Sequence, residues 1–261
     1  MIDSGEMCAP RRFILLTLLL AASSLHAEDR FFDSAGIRIR YVEQGSGPVV
    51  VLLHGYGGSL KAWFDSGIFA NLAQDHRVIA LDLRGHGLSG KPHDPKAYGD
   101  EMGLDVIRLM EQLHIPKAHM VGYSMGARIL GKLLVTHPQR ILSATLGGSP
   151  PRLGWPASEA ERAEKDAKQQ EQSKPVDGQD FAALAAVARG RASQAVTVEQ
   201  LGAVKVPTLG IVGSEDPSLP GLREVKALMP AMRELLVLES SNHGTTMKRP
   251  EFIKAVRQHI R

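Results

Sequence analysis

One serine of this sequence stands in a setting that suits a nucleophile. Ser124 is the central residue of Gly122–Gly126, a G-x-S-x-G pattern that follows an apolar run and opens a helical pattern. Between a strand and a helix, such a serine lies on a sharp turn that holds its hydroxyl clear of the sheet. The flanking glycines are required because a side chain at either position would push strand and helix apart. We therefore predict that Ser124 is a nucleophile.

A serine hydroxyl is a weak nucleophile at neutral pH and needs two partners. An imidazole must take its proton, and a carboxylate must fix the tautomer and orientation of that imidazole. Of the ten histidines, His243 lies just beyond an apolar run and beside a glycine, and we predict that it is the base. Glu215 and Asp216 are both chemically able to orient it, and the G-x-x-D spacing from Gly213 favours Asp216.

Charge develops on the substrate carbonyl oxygen when a serine attacks it, and backbone donors must meet that charge. The N–H of Met125, directly after the nucleophile, is one predicted donor. His54 and His86 lie next to glycines at predicted strand ends. We predict that these two histidines hold loops by hydrogen bonds rather than take part in chemistry.

The elements that must position these residues are strands and helices in alternation. Continuous apolar runs such as Pro48–Leu53 are typical of strands buried on both faces, and Lys117–Gly122 is the strand that delivers the serine. The alternation predicts a doubly wound α/β sheet, with an antiparallel pair at its start. Strands are predicted at 30–32, 37–43, 48–53, 77–83, 117–122, 141–147, 207–212 and 234–238, and helices at 99–113, 125–137, 222–229 and 250–260.

Residues 152–204 differ in composition from the elements on either side. The stretch 157–172 is almost wholly polar and charged, which is typical of a helix that presents a solvated face and nothing more. The apolar residues Phe181, Leu184 and Val187 fit packing on the main body and lining a substrate entrance equally well. We predict two or three helices outside the sheet, acting as a short lid that limits substrate size.

Length and composition exclude several function classes. The 261 residues are enough for one large α/β domain, and 43% hydrophobic and 23% charged residues are ordinary for a soluble protein. A net charge of +3 is too small to indicate a nucleic-acid partner. No dinucleotide-binding, phosphate-binding or H-E-x-x-H motif is found. We therefore expect a small-molecule substrate, no cofactor and no metal.

The N-terminus has the layout of a secretory signal peptide. Two arginines precede the apolar run Phe13–Ala22, and small residues then lead to Ala27 and a charged stretch. The run is about half the roughly 20 residues needed to span a bilayer. We expect a signal peptide of residues 1–27, a mature chain of 28–261 without its only cysteine, Cys8, and a periplasmic or secreted location. The alternative is retention at the membrane by an uncleaved N-terminal segment.

Four separated motifs occur along the sequence in this order: H-G-Y-G at 54–57, G-Y-S-M-G at 122–126, G-S-E-D at 213–216 and N-H-G at 242–244. With them the sequence resembles the α/β-hydrolase family from about Arg30 to the C-terminus. The resemblance implies a mostly parallel eight-stranded sheet with a short helical cap, at about 152–204, inserted after the sixth strand. It places Ser124, Asp216 and His243 after the fifth, seventh and eighth strands. It also implies the N–H of Tyr56 as the second oxyanion donor.

The expected activity is that of an exported serine hydrolase acting on a carboxylic ester through an acyl-enzyme, with amides and thioesters as lesser alternatives. Dehalogenases and epoxide hydrolases of this family use an aspartate nucleophile, and Ser124 argues against both. Two other readings stay open. One is hydrolysis of a carbon–carbon bond in a ring-cleavage product, which export disfavours, and the other is a non-catalytic ligand-binding member of the fold.

Overall fold

The computed structural model describes residues 27–174, 176 and 178–261. The predicted signal peptide, apart from Ala27, lies outside these described residues. From Arg30 onward the chain alternates between strands and helices, as the apolar runs predict.

One eight-stranded sheet positions the predicted site residues. Its order is β1-β2-β4-β3-β5-β6-β7-β8, in which β2 is antiparallel to both β1 and β4 and the remaining pairs are parallel. The predicted mostly parallel, doubly wound sheet is therefore confirmed. The strands are β1 (Arg30–Ser34), β2 (Ile37–Gln44), β3 (Val49–Leu53), β4 (Arg77–Leu81), β5 (Ala118–Tyr123), β6 (Ile141–Gly147), β7 (Thr208–Gly213) and β8 (Met232–Leu238).

Helices cover both faces of the sheet because alternate residues of the central strands point to opposite sides. In β3, Val51 and Leu53 belong to one apolar cluster, whereas Val50 and Leu52 belong to another. The first cluster includes residues of α3, α4 and α8, and the second includes residues of α1, α2 and α9. These helices are α1 (Lys61–Asp65), α2 (Ile68–Leu72), α3 (Asp100–Gln112), α4 (Met125–Thr136), α8 (Leu219–Leu228) and α9 (Pro250–His259).

Three further helices lie between β6 and β7, where the cap was expected: α5 (Ala157–Glu171), α6 (Phe181–Arg189) and α7 (Val198–Ala203). Small side chains let α5 and α6 pack closely, with Ala167 against Ala185 and Ala188. At the edge of this contact Arg189 Nε donates to Glu164 of α5 over 2.9 Å. Helix α5 therefore buries one side against α6, which corrects the interpretation of stretch 157–172 as a solvated face alone.

Candidate active site

The turn between β5 and α4 has the geometry that the glycine pattern predicts. Ser124 lies at φ 55° and ψ −112°, a strained region for a residue with a side chain. A Cβ atom at Gly122 would come within 2.4 Å of the carbonyl oxygen of Gly126, and one at Gly126 within 2.0 Å of the carbonyl oxygen of Leu53. Only glycine fits these two positions, so the close approach of strand and helix depends on both.

The structure brings Ser124, His243 and Asp216 together in one chain of hydrogen bonds. His243 Nε2 lies 2.8 Å from Ser124 Oγ, and His243 Nδ1 lies 2.8 Å from Asp216 Oδ2. The other carboxylate oxygen of Asp216 accepts the N–H of Ser218 over 2.8 Å. Glu215, the alternative acid, is exposed, so Asp216 is the one that contacts the imidazole.

Burial differs sharply along this chain of hydrogen bonds, and the contact between Asp216 and His243 fixes the tautomer of the imidazole. The side chain of Asp216 is fully buried, whereas that of His243 is 40% exposed. Because a carboxylate oxygen accepts at Nδ1, the neutral imidazole carries its proton there and presents the lone pair of Nε2 to Ser124. This arrangement is able to take a proton from the serine hydroxyl.

A tyrosine next to the serine supports the loop that carries His243. Tyr123 donates its hydroxyl to the backbone carbonyl of His243 over 2.6 Å, and the two rings lie 5.5 Å apart. Burial raises the pKa of Tyr123 well above its usual value, so the phenol stays protonated as a donor. Tyr123 is thus a buried support, whereas Tyr56 and Met125 line the cavity beside the serine.

The two predicted oxyanion donors follow neighbouring strands. In the sheet, Leu53 at the end of β3 pairs with Gly122 of β5, so the loop that carries Tyr56 lies next to the serine turn. Gly55 allows this approach, since a Cβ there would lie 3.3 Å from the Cβ of Ser124. Within the described residues, the N–H groups of Tyr56 and Met125 donate to no other group. Both donors therefore have hydrogen-bonding capacity for an incoming oxygen.

The two histidines predicted to be scaffolds hold neighbouring loops. His54 Nε2 accepts the N–H of Leu83 over 3.0 Å, and its Nδ1 donates to the carbonyl of Gly55 over 2.7 Å. His86 lies edge-on to it, with ring centroids 5.2 Å apart, and bonds the carbonyl of Arg84 over 3.0 Å. Burial lowers the pKa of His54 and lowers that of His86 to about 3, so both rings are neutral.

A cavity of about 340 Å³ lies above Ser124 and His243, at the small end of the range for ligand pockets. Of the three apolar cap residues singled out in the sequence, only Val187 lines it. Leu184 is buried inside the cap, where its carbonyl accepts the hydroxyl of Tyr56 over 2.7 Å.

Four arginines also line this cavity, and the sequence patterns did not indicate them: Arg128, Arg152, Arg162 and Arg191. Among the described residues, Asp166 is the only acidic one that lines it with them. One signal was available, because Arg128 follows Ser124 by four residues, about one helical turn into α4. The other three come from the segment after β6, whose placement over the sheet is a property of the tertiary fold.

Residues 48–199, more than half of the chain, match the family model of the α/β hydrolase fold. The chain belongs to this family. The matched residues contain the G-x-S-x-G turn and the loop of Tyr56, whereas Asp216 and His243 lie beyond them.

The sequence matches to individual relatives cover only part of each chain. The chain is 41% identical over 121 residues to the dihydrolipoyllysine-residue acetyltransferase component of the acetoin cleaving system of Cupriavidus necator, covering 45% of this chain and 31% of that protein. It is 34% identical over 118 residues to 2-hydroxymuconate semialdehyde hydrolase of Pseudomonas sp. (strain CF600), covering 44% and 41%. The chain thus spans less than half the length of these two relatives.

Among solved structures, a hydrolase from Pseudomonas aeruginosa superposes with a TM-score of 0.74 at 25% identity, covering 88% of this chain and 97% of that one. The likeness extends over nearly all of both chains, unlike the partial sequence matches.

Within the described part of the chain, no helix is both long and apolar enough to cross a membrane.

Proposed function

We propose that this protein is a serine hydrolase that cleaves a carboxylic ester through an acyl-enzyme on Ser124. The observation that carries the proposal is the chain of two 2.8 Å contacts from Ser124 through His243 to the buried Asp216. A serine, a histidine and a buried carboxylate so arranged supply a nucleophile, a base and the group that orients the base.

The first half of the reaction forms the acyl-enzyme. Ser124 Oγ attacks the ester carbonyl carbon while its proton passes to His243 Nε2, and Asp216 stabilises the resulting imidazolium. The N–H groups of Met125 and Tyr56 donate to the oxygen that becomes negatively charged. The imidazolium then gives its proton to the departing alkoxide, which leaves as an alcohol.

Water completes the cycle. His243, neutral again, takes a proton from a water molecule as that water attacks the acyl carbon, and the proton then returns to Ser124 Oγ as the acid leaves. The strained turn at Ser124 holds the serine oxygen at the same place during acylation and deacylation, so His243 serves it in both steps. No group beyond these residues and water is needed to balance the reaction.

Hydrolysis of a carbon–carbon bond is a second candidate, favoured by the 34% identity to 2-hydroxymuconate semialdehyde hydrolase. The same serine, base and oxyanion donors act on a ketone carbonyl, and the leaving carbon takes a proton in place of the alkoxide. Haloalkane and epoxide hydrolysis are disfavoured, because the residue in the nucleophile position is Ser124 and not an aspartate.

A substrate series separates these candidates. 4-Nitrophenyl esters of increasing acyl length are tested with the wild-type protein and with Ser124→Ala, beside a vinylogous diketone as a carbon–carbon substrate. We expect ester turnover that Ser124→Ala lacks. Faster cleavage of the diketone than of any ester would favour the second candidate, and folded protein that turns over neither would indicate a ligand-binding role.

We also propose that the protein is exported and cleaved after Ala27, on the support of its arginine-flanked apolar run alone. N-terminal sequencing of periplasmic or secreted material is expected to begin near Glu28. An intact Met1 on soluble cytoplasmic protein would contradict export.

A further inference from the structure

The cavity above Ser124 carries more positive charge than its own ion pairs neutralise. Of the four arginines that line it, Arg152 pairs with Glu159, and Arg191 Nη2 donates to Asp166 Oδ2 over 2.8 Å. Arg128 and Arg162 form no ion pair with any described residue. Four guanidinium groups therefore face two carboxylates.

Arg152 shows that this charge is buried as well as unbalanced. Only 5% of the residue is exposed, and among the described residues its one side-chain hydrogen-bond partner is Glu159, which one terminal nitrogen binds, while its guanidinium lies 5.0 Å from the ring centroid of Trp155. Its Nε and its other terminal nitrogen, Nη2, are buried without an acceptor among the described residues. Buried donors on a charged group are costly to leave without acceptors, so they mark a place suited to an anion.

Arg128 and Arg191 extend the same patch toward the reacting atoms. Arg128 lies one helical turn after Ser124, and its backbone N–H donates to the carbonyl of Ser124 over 3.2 Å. Burial, and after it the positive charge of Arg152, lower the pKa of Arg128 to about 10. Arg191 stands 5.5 Å from the ring of Tyr56, which lines the same cavity, and its Nε is also buried without an acceptor among the described residues.

We propose that Arg128, Arg152 and Arg191 form a subsite for a carboxylate of the substrate, so that the preferred ester carries a free acid group on a short acyl chain. The inference rests on the proposed serine hydrolysis and names its substrate class. Arginine suits this task because its planar fork donates two parallel hydrogen bonds to a carboxylate. Arg162, exposed at the rim, adds attraction for an incoming anion.

Cavity size and position favour a short dicarboxylic half-ester over a larger anion. Arg128 and Ser124 line the same cavity and their backbones are hydrogen-bonded to each other, so Arg128 lies beside the region where the scissile carbonyl would bind. A volume of about 340 Å³ fits a chain of a few carbons with one terminal carboxylate. The acid group would then bind while the ester carbonyl meets Ser124.

The kinetic test compares two esters of similar shape and different charge. 4-Nitrophenyl hydrogen glutarate carries the acid, and 4-nitrophenyl pentanoate replaces it with a methyl group. We expect wild-type kcat/KM to be about 100-fold higher for the acid ester, since charge-assisted hydrogen bonds of this kind are each worth roughly 10- to 100-fold. Equal kcat/KM values for the two esters would overturn the subsite.

Arginine variants test whether the preference for the acid ester depends on the proposed subsite. Arg128→Gln is the main variant, because Arg128 forms no ion pair with a described residue whose loss could unfold the protein, whereas Arg152 also binds Glu159. We expect the ratio of the two kcat/KM values to fall at least about 10-fold, mainly through a higher KM for the acid ester. Arg233→Gln, which removes an exposed arginine of β8 away from the cavity, is the matched control and is expected to keep the wild-type ratio.

A binding measurement separates failure of the subsite from failure of the proposed function. Calorimetric titration of Ser124→Ala with glutarate is expected to show binding that Arg128→Gln weakens about 10-fold or more. Glutarate binding without ester turnover by the wild type would keep the subsite and reject the hydrolase. Ester turnover without glutarate binding, or tighter binding of inorganic phosphate than of glutarate, would reject the carboxylate subsite.

Discussion

The hydroxyl of Tyr123 lies 2.6 Å from the carbonyl oxygen of His243, so the residue before the predicted nucleophile holds the loop of the predicted base. Tyr123→Phe removes this one hydrogen bond and keeps the ring. We expect kcat to fall about 5-fold with KM nearly unchanged, because a hydrogen bond of this kind contributes about 1 kcal/mol. Tyr41→Phe, on β2 at the other side of the sheet, is the control, and equal kcat values for the two variants would contradict a positioning role.

Removing members of the hydrogen-bond chain should give losses that do not add. We expect Ser124→Ala and His243→Gln each to lower kcat about a million-fold and the double variant to be no slower, because each group needs the other. Asp216→Asn is expected to cost about ten-thousand-fold through the wrong imidazole tautomer. A phosphonylating reagent should label Ser124 alone, in step with loss of activity, and full activity of labelled protein would show that another residue is the nucleophile.

The close approach of strand and helix at the serine turn predicts that alanine destabilises the protein more at Gly126 than at Gly202. At Gly126, a Cβ would come within 2.0 Å of the carbonyl oxygen of Leu53, whereas at Gly202 of α7 the nearest atom would be 3.7 Å away. We expect Gly126→Ala to lower the free energy of unfolding by about 3 kcal/mol, and Gly202→Ala to change it by less than about 1 kcal/mol. Urea denaturation measures both, and similar values would mean that the backbone at Gly126 relaxes freely.

Two buried histidines predict a loss of stability in acid. His54 and His86 have lowered pKa values in the folded protein, about 3 for His86, chiefly because burial disfavours their charged forms. Below the unfolded value of about 6.5, the unfolded chain binds protons that the folded chain does not, so stability falls as the pH drops toward about 3. Each histidine should contribute roughly 1 kcal/mol per pH unit of this loss.

Denaturation at pH 7 and pH 5 tests this dependence. In His86→Asn, the free energy of unfolding should depend on pH less steeply than in the wild type, by roughly 1 kcal/mol per pH unit. His114→Asn, at an exposed position, should keep the wild-type dependence. If the slopes of His86→Asn and the wild type coincide, His86 is already protonated in the folded protein and the explanation is wrong.

The cavity wall predicts which cap residue limits acyl length. Val187 lines the cavity and Phe181 does not, so Val187→Ala should shift the best straight-chain ester by roughly one to two carbons and Phe181→Ala should not. A series of 4-nitrophenyl esters measures the optimum. Wild-type protein should prefer short acyl chains to long-chain triglycerides, and the reverse preference would contradict a lid that limits substrate size.

Much of the fold was predictable because buried parallel strands are continuous apolar runs. The predicted and observed bounds agree within two residues at every strand end, and at Ile141–Gly147 they coincide. Helices α1 and α2 were not predicted, since five residues each are too few to show a helical period. They are packed through aromatic side chains such as Trp63 and Phe69, whose burial depends on the rest of the fold.

The candidate site likewise contains residues that local sequence indicates and residues that only the tertiary fold brings together. Ser124, Asp216 and His243 each follow a strand beside a glycine or within a short motif, so local sequence pointed to them. Apart from the four-residue spacing between Ser124 and Arg128, the arginines carry no local signal, because Arg128 belongs to α4 while Arg152 and Arg191 belong to the segment between β6 and β7. Only folding of that segment over the sheet makes them neighbours.

Strands β6 and β7 are adjacent in the sheet, so the whole cap leaves and returns to the body at two neighbouring positions. Neighbouring strands lie about 4.8 Å apart, and the entropy of closing a loop grows only slowly with its length. The cap is therefore an interchangeable part: an insert of another length or charge can be accepted there without disturbing the serine turn. Changes confined to this one contiguous segment are enough to reshape the cap side of the cavity, while the reacting atoms stay where they are.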